Sequence, residues 1–320
     1  MAEISERMPK SDRKPQEWWS DALKGDFRSI ARCVTMLEDG NPAALRLLAA
    51  LPGGGRARII GITGPPGAGK STLVDALIAE FTERGARVAV LCIDPSSPFH
   101  MGALLGDRIR MSRWHHHPSV YIRSLATRGS LGGLHPGIIE IADFLSACPF
   151  DHVIVETVGV GQSEVEIAGL ADVTVVVLVP EAGDEVQTMK AGLMEIADVF
   201  VVNKSDRPDA ERFLRTLRAL ATGSARDPSD PVRVLPTIGS TGEGVAALRA
   251  EIERRLSTSG QPMRRSWLLA DRAYHLIGRG RMKDVEKDEL RVRIAEGLLA
   301  GDFNLHAFIK NYVEDGTDSE

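Results

Sequence analysis

The sequence predicts an α/β fold: a doubly wound, mainly parallel sheet with helical N-terminal and C-terminal extensions. Three observations predict it. The stretch Ile59 to Ser71, Ile-Ile-Gly-Ile-Thr-Gly-Pro-Pro-Gly-Ala-Gly-Lys-Ser, reads as a short apolar strand, a glycine-rich loop and the start of a helix. Further apolar runs recur between helical patterns without polar alternation, as expected of strands covered on both faces. Several of these runs close on an acidic or polar residue, which puts those residues on the carboxyl edge of the sheet, where open α/β folds bind ligands.

Residues 1 to 14 are polar and charged. From Pro15 to about Leu51 apolar residues recur at helical spacing: Trp18, Trp19 and Leu23, then Ile30, Val34 and Leu37, then Ala43, Leu45, Leu47 and Leu48, interrupted at Asp39-Gly40-Asn41-Pro42. This predicts two or three short helices in an N-terminal extension, residues 1–55. The extension holds too little apolar material to fold alone and is expected to pack on a core domain over 56–256.

In the first strand-loop-helix unit Gly64, Gly69, Lys70 and Ser71 match G-x-x-x-x-G-K-[ST], the phosphate-binding P-loop. The fold is therefore expected to be that of a P-loop NTPase. Gly64, Pro65, Pro66, Gly67, Ala68 and Gly69 line the phosphate site, the backbone N–H groups of the non-proline positions turning toward phosphate oxygens, and glycine leaves room for that approach. The helix that follows begins near Thr72, and its N-terminus favours an anion. Lys70 supplies a charge to the β and γ phosphates, and the Ser71 hydroxyl is a ligand for Mg²⁺.

Arg87 to Ile93 is a second strand, ending at Asp94, a candidate catalytic and metal-binding carboxylate. Met101 to Met111, which carries Asp107, reads as a loop leading into a helix. His115 to His117 suggests a transition metal, but three consecutive side chains share no face and no Cys or acidic ligand stands at a metal-binding spacing, so a solvated loop is expected. Val120 to Ser124 is a strand and Gly137 to Cys148 a helix. Asp151 to Val155 is a strand that runs into Glu156-Thr157-Val158-Gly159. An acidic residue in that position is the Walker B arrangement, with Glu156 supporting Mg²⁺ and the Gly159 N–H offered to the γ-phosphate.

Val173 to Val179 is a strand, Pro180 to Gln187 a loop and Thr188 to Ile196 a helix. The strand from Asp198 to Val202 delivers Asn203-Lys204-Ser205-Asp206, the Asn-Lys-x-Asp guanine-reading motif. One Asp206 carboxylate accepts from both N1–H and the 2-amino group of guanine, a donor pair adenine does not present. The Lys204 stem stacks along the ring. Pro208 to Ala221 is a helix, and Val232 to Pro236 a strand ending at Thr237-Ile238-Gly239-Ser240-Thr241-Gly242, where Ser240 and Thr241 are expected to contact the base. Val245 to Leu256 closes the core. A C-terminal tail, 257–320, reads as an added helical pair for self-association or docking.

Composition narrows the class. A net charge of −5 with a pI near 6.0 gives no case for nucleic acid or an anionic membrane surface. No apolar run approaches the roughly 20 residues of a membrane span and no signal core opens the chain, so a cytoplasmic location is expected. Three scattered cysteines, Cys33, Cys92 and Cys148, provide neither a disulfide framework nor a zinc cluster.

With Gly64 to Thr72, Val90 to Ser97, Glu156 to Glu164, Glu181 to Ala191 and Asn203 to Asp206 read together, the chain resembles the MeaB/ArgK family across nearly its whole length. These are P-loop GTPases of the G3E group that act as chaperones for adenosylcobalamin-dependent acyl-CoA mutases; the methylmalonic aciduria type A protein belongs with them. Most telling are Glu-Thr-Val-Gly-Val-Gly-Gln-Ser at 156 to 163 and Ala-Gly-Asp-Glu-Val-Gln-x-x-Lys-Ala-Gly at 182 to 192. The resemblance implies that Asp94 and Asp107 lie in a first switch, that Glu156 anchors a second, and that Gln187 and Lys190 lie in a third that senses the partner. It also implies a homodimer through the C-terminal helices and a mutase partner with its adenosyltransferase. No residue of the sequence marks a cobalamin site, and no cobalamin bound by this chain itself is expected. Where the family usually has Gly, this chain has Glu181. No protein-kinase catalytic loop is present.

The expected chemistry is attack of water on the γ-phosphate of GTP, giving GDP, with Lys70 and Mg²⁺ neutralising charge. Ras-like enzymes place a Gln directly after the switch glycine; here that position is Val160, and Gln162 comes later, so hydrolysis is expected to be slow alone and partner-activated. Two rivals stand beside this reading: a metallochaperone GTPase, supported by His115 to His117, and a nucleotide-ordered scaffold.

Overall fold

The computed structural model describes residues 14–51, 57–94, 111–127, 134–159, 163–182, 192–223, 230–258, 262–282, 284–300 and 303–314. Seven strands form one sheet: β1 (Arg58–Thr63), β2 (Val88–Asp94), β3 (Val120–Ala126), β4 (His152–Glu156), β5 (Val173–Leu178), β6 (Val199–Val202) and β7 (Arg233–Pro236). Their order is β3-β2-β4-β1-β5-β6-β7, and every described pairing is parallel. This is the doubly wound P-loop NTPase architecture, with β1 between β4 and β5.

Strands rich in Val, Ile and Leu bury both faces. On one face Ile60, Ile62, Val90, Ile154 and Val175 pack against α4 (Lys70–Thr82) and α9 (Val245–Thr258), through Leu73, Leu77 and Ile252. The other face is covered in two parts. Over β1 to β4 lie α1 (Pro15–Ala22), α2 (Phe27–Glu38), α3 (Pro42–Leu48), α5 (Ile138–Ala147) and α6 (Ser163–Leu170). Over β5 and β6 lie α7 (Gly192–Ile196) and α8 (Ala210–Gly223), which enclose Val176, Phe200 and Val202.

The N-terminal helices form three short elements for local reasons. Asp26 caps α2 by accepting from the Ser29 N–H, and Asn41 caps α3, whose first residue is Pro42. Their apolar stripe joins the core: Trp19 meets Phe144 of α5 at 4.6 Å between ring centroids, and Arg123 of β3 donates to Glu38 of α2 at 2.6 Å. Helix α6 has no counterpart in the sequence reading, because its apolar residues do not fall on one side.

The chain divides into two compact units, Met1–Leu268 and Leu269–Glu320. The division falls within α10 (Pro262–Arg281), which is followed by α11 (Lys287–Ala300) and α12 (Leu305–Glu314). Among the described residues the tail thus holds three helices rather than the pair expected from sequence. The third is started by Asn304, whose side chain accepts from the Ala307 N–H at 3.0 Å. No described helix is long and apolar enough to cross a membrane.

Candidate functional site

The loop from Gly64 to Gly69 joins the carboxyl end of β1 to the first turn of α4. Gly69, at the N-cap of α4, has φ +82°, and a Cβ there would lie 2.5 Å from Nδ2 of Asn203. Only glycine fits both the left-handed backbone and that approach. Lys70 is 6% exposed, and its Nζ donates to the carbonyls of Gly64 at 2.8 Å and Pro65 at 3.0 Å. The ammonium therefore sits inside the turn of its own loop. Pro65 and Ala68 are buried, while Pro66, Gly67 and Thr72 face outward.

Ser71 Oγ donates to Glu156 Oε1 at 2.7 Å, and both residues are buried. The strands explain the meeting. Glu156 is in register with Ile62 of β1 and Cys92 of β2, and side chains alternate along a strand, so Asp94 shares the face of Cys92 and Glu156, the face that α4 covers. Asp94 is 5% exposed at the end of β2. Ser71, Glu156 and Asp94 offer only oxygen donors, a set that suits a hard cation such as Mg²⁺.

Beside them the entry to the Glu156–Gly159 segment is stitched to β1. The Thr157 N–H donates to the Ile62 carbonyl at 3.0 Å, and the buried hydroxyls of Thr63 and Thr157 lie 2.9 Å apart. Gly159 has φ +86°, and a Cβ there would come within 2.3 Å of the Gly64 carbonyl oxygen and 2.4 Å of Lys70 Nζ.

At the end of β6, Asn203 ties two loops together. Its Nδ2 donates to the Ala68 carbonyl at 2.8 Å, and its Oδ1 accepts from Thr237 Oγ1 at 3.1 Å and the Gly239 N–H at 3.0 Å. Lys204, at φ +55°, donates through Nζ to the Gly67 carbonyl at 2.7 Å, and the Ser205 N–H donates to the Thr237 carbonyl at 3.1 Å. Asp206 is exposed beside them. Ser240 and Thr241 stand in the exposed turn closed by Ile238 and Glu243, one step beyond the residues that touch Asn203.

The P-loop, Asp94, Glu156, Gly159 and the Asn203–Asp206 loop thus line one edge of the sheet. Asp107, Val160, Gln162, Gln187 and Lys190 lie outside the described residues. Thr63, Thr157, Thr237 and Gly239 are the members the sequence reading did not single out. Glu181 pairs with Arg207, whose hydrogen bond holds its carboxyl below the usual glutamate range. His115 and His116 are exposed, and among the described residues no group of three His, Cys, Asp or Glu is disposed to hold a metal ion. All three cysteines are buried free thiols, and burial pushes Cys33 and Cys148 up to about 12.

Comparison with known proteins agrees with this architecture. A family model described as methylmalonyl Co-A mutase-associated GTPase MeaB matches residues 30–284. A Pyrococcus horikoshii protein named as a candidate GTPase is 49% identical over 235 residues, spanning 72% of this chain and 74% of its own. A mitochondrial methylmalonic aciduria type A homolog of Caenorhabditis elegans is 48% identical over 148 residues, 46% of this chain and 37% of its own. Among solved structures, one titled a LAO/AO transport system kinase superposes with a TM-score of 0.65 at 24% identity, covering 94% of this chain and 96% of the other, a likeness of fold.

Proposed function

The chain belongs to the methylmalonyl Co-A mutase-associated GTPase MeaB family, and from that premise we propose that it hydrolyses GTP to GDP and phosphate to gate the cofactor of an adenosylcobalamin-dependent acyl-CoA mutase. The observation that carries the nucleotide half is Asn203, whose amide bonds the phosphate loop at Ala68 on one side and the Thr237–Gly239 segment on the other. It makes the phosphate cradle and the base-reading loop one rigid piece, with Asp206 presented for a guanine edge.

In this reading Lys70 leaves the carbonyls of Gly64 and Pro65 for the β and γ phosphates, and the backbone N–H groups from Gly67 to Thr72 hold the phosphate chain, Pro65 and Pro66 having none to offer. Ser71, Glu156 and Asp94 would hold Mg²⁺, which would supply charge neutralisation on the phosphate oxygens. Gly159 offers its N–H to the γ-phosphate. The position after it is Val160, which cannot orient a water molecule, so turnover is slow until a partner reshapes the site and brings Lys190 and Asp107 to bear. Binding of a mutase follows the nucleotide only insofar as the GTP and GDP forms bind it with different affinity. The C-terminal helices serve self-association, cobalamin belongs to the mutase, and the site of action is cytoplasmic.

The test is steady-state GTP hydrolysis, with ATP as control, alone and with B12-dependent mutases added one at a time. Strong acceleration of GTP turnover by one mutase is expected. GTP turnover unmoved by every mutase removes the client, and equal turnover of ATP removes the guanine assignment.

A further inference from the structure

The Lys204–Arg207 turn is fixed at three of its four residues. Its own closing bond runs from the Arg207 N–H to the Lys204 carbonyl at 3.0 Å. Lys204 is tied to the phosphate loop through Gly67, and Ser205 to the end of β7 through Thr237. The third tie leaves the other way: Arg207 Nη1 donates to Oε1 of Glu181, at the exit of β5. The residue left between the ties is Asp206, at the third position of the turn, with its side chain exposed.

We propose that Glu181 is a specificity-determining residue of this site: its ion pair with Arg207 sets the rotation of the Lys204–Arg207 turn and so aims the Asp206 carboxylate at the paired donors of a purine. The inference rests on the guanine reading proposed above. Glu181 acts through Arg207 and Asp206 and is a positioning residue. Two features make the pair suited to that work. The Arg207 backbone closes the turn that carries Asp206, so a displacement of Arg207 reaches Asp206 through a single peptide unit. Glu181 also lies close enough to Lys204 to feel its charge.

The side chains are 46% and 50% exposed, so the pair is expected to tune recognition by roughly two- to fivefold rather than to switch it. A carboxylate that accepts from two purine donors loses most of its advantage when its aim drifts, whereas contacts to the phosphates are insensitive to that drift. The effect should therefore appear as a ratio between nucleotides that differ only at the 2-amino group.

The experiment uses the full chain and measures binding of GDP, IDP and ADP by competition against a fluorescent guanine nucleotide. IDP lacks the 2-amino group and keeps everything else. Glu181→Gln and Arg207→Gln are each expected to shrink the GDP-to-IDP preference roughly two- to fivefold, with IDP affinity little changed. The charge-swapped pair, Glu181→Arg with Arg207→Glu, is expected to recover it. Raising salt from about 0.05 M to about 0.5 M should reproduce the loss in the native protein and not in Glu181→Gln. Equal weakening of GDP and IDP, or a ratio unmoved in both single variants, overturns the inference. Native protein that does not prefer GDP over ADP overturns the guanine reading as well, which separates the two failures.

Discussion

Replacing Asn203 tests the joint that holds the site together, and two substitutions separate its donor half from its acceptor half. In Asn203→Ala three well-formed hydrogen bonds disappear, to Ala68 at 2.8 Å, from Thr237 at 3.1 Å and from Gly239 at 3.0 Å. Each is worth about 1 kcal/mol net, and the Ala68 carbonyl and Gly239 N–H left behind in a buried setting add to the loss, for a total of about 3–5 kcal/mol. Asn203→Asp keeps the acceptor that faces Thr237 and Gly239 but puts a second carboxylate oxygen against the Ala68 carbonyl. Two acceptors then face each other unless the new carboxyl is protonated, so its pKa in the folded protein rises above the roughly 3.9 of the unfolded chain. A group with a raised folded pKa contributes stability fully at low pH and loses it as pH rises through that value. The variant should therefore be strongly destabilised at neutral pH and close part of the gap to native as pH falls toward 5. Urea unfolding at several pH values, together with GDP titration, reads both effects. Asn203→Ala within about 1 kcal/mol of native stability, or Asn203→Asp equal to native at neutral pH, would refute the idea that this side chain joins the two loops.

Two further predictions follow from contacts elsewhere. Gly159→Ala imposes a left-handed backbone on a residue with a side chain, about 1–2 kcal/mol, and drives a methyl into Lys70 Nζ and the Gly64 carbonyl. GTP turnover is expected to fall roughly 100-fold or more, the scale of losing one preorganised donor, while far-ultraviolet circular dichroism stays native; an active variant would show that Gly159 does not abut Lys70. His152 lies against Phe81 at 4.3 Å between ring centroids, and burial lowers its pKa despite the opposing charges of Asp151 and Glu253. The folded state thus binds fewer protons than the unfolded one just below about pH 6.5, and stability should fall there by at most about 1.4 kcal/mol per pH unit. His152→Phe should flatten that slope in urea titrations between about pH 7.5 and 5.5, and superimposable slopes would remove His152 as the cause.

What could be read from the sequence was what the chain encodes locally. Gly64, Gly69, Lys70 and Ser71 stand within eight residues, and each chemical demand on them shows in the residue type. The strands were legible because Val, Ile and Leu runs closing on Asp94, Glu156 and Asn203 fit a doubly covered parallel sheet. The members missed depend on partners far along the chain. Thr63 and Thr157 are 94 residues apart, and only the pairing of β1 with β4 makes their hydroxyls neighbours. Thr237 and Gly239, which bond Asn203, do not stand out from Ser240 and Thr241 in the sequence because a polar loop does not announce which of its residues turns inward. Two hydroxyl residues at the ends of adjacent strands, one before Gly64 and one after Glu156, were the available signal for the threonine pair. Helix α12 escaped because its cap, Asn304, follows a break that also reads as the end of the preceding helix.

The bonds that fold the P-loop back on itself bear on how quickly a ligand can be taken up. Ordering a backbone residue costs about 1–2 kcal/mol in conformational entropy, and from Gly64 to Gly69 that ordering is achieved by Lys70 and Asn203 as the chain folds. On the proposed reading, an incoming diphosphate would meet a loop already ordered and would compete with the Gly64 and Pro65 carbonyls for the Lys70 ammonium. The free energy of its contacts would then go into affinity rather than into loop ordering, and capture would be an exchange of hydrogen bonds rather than a folding event.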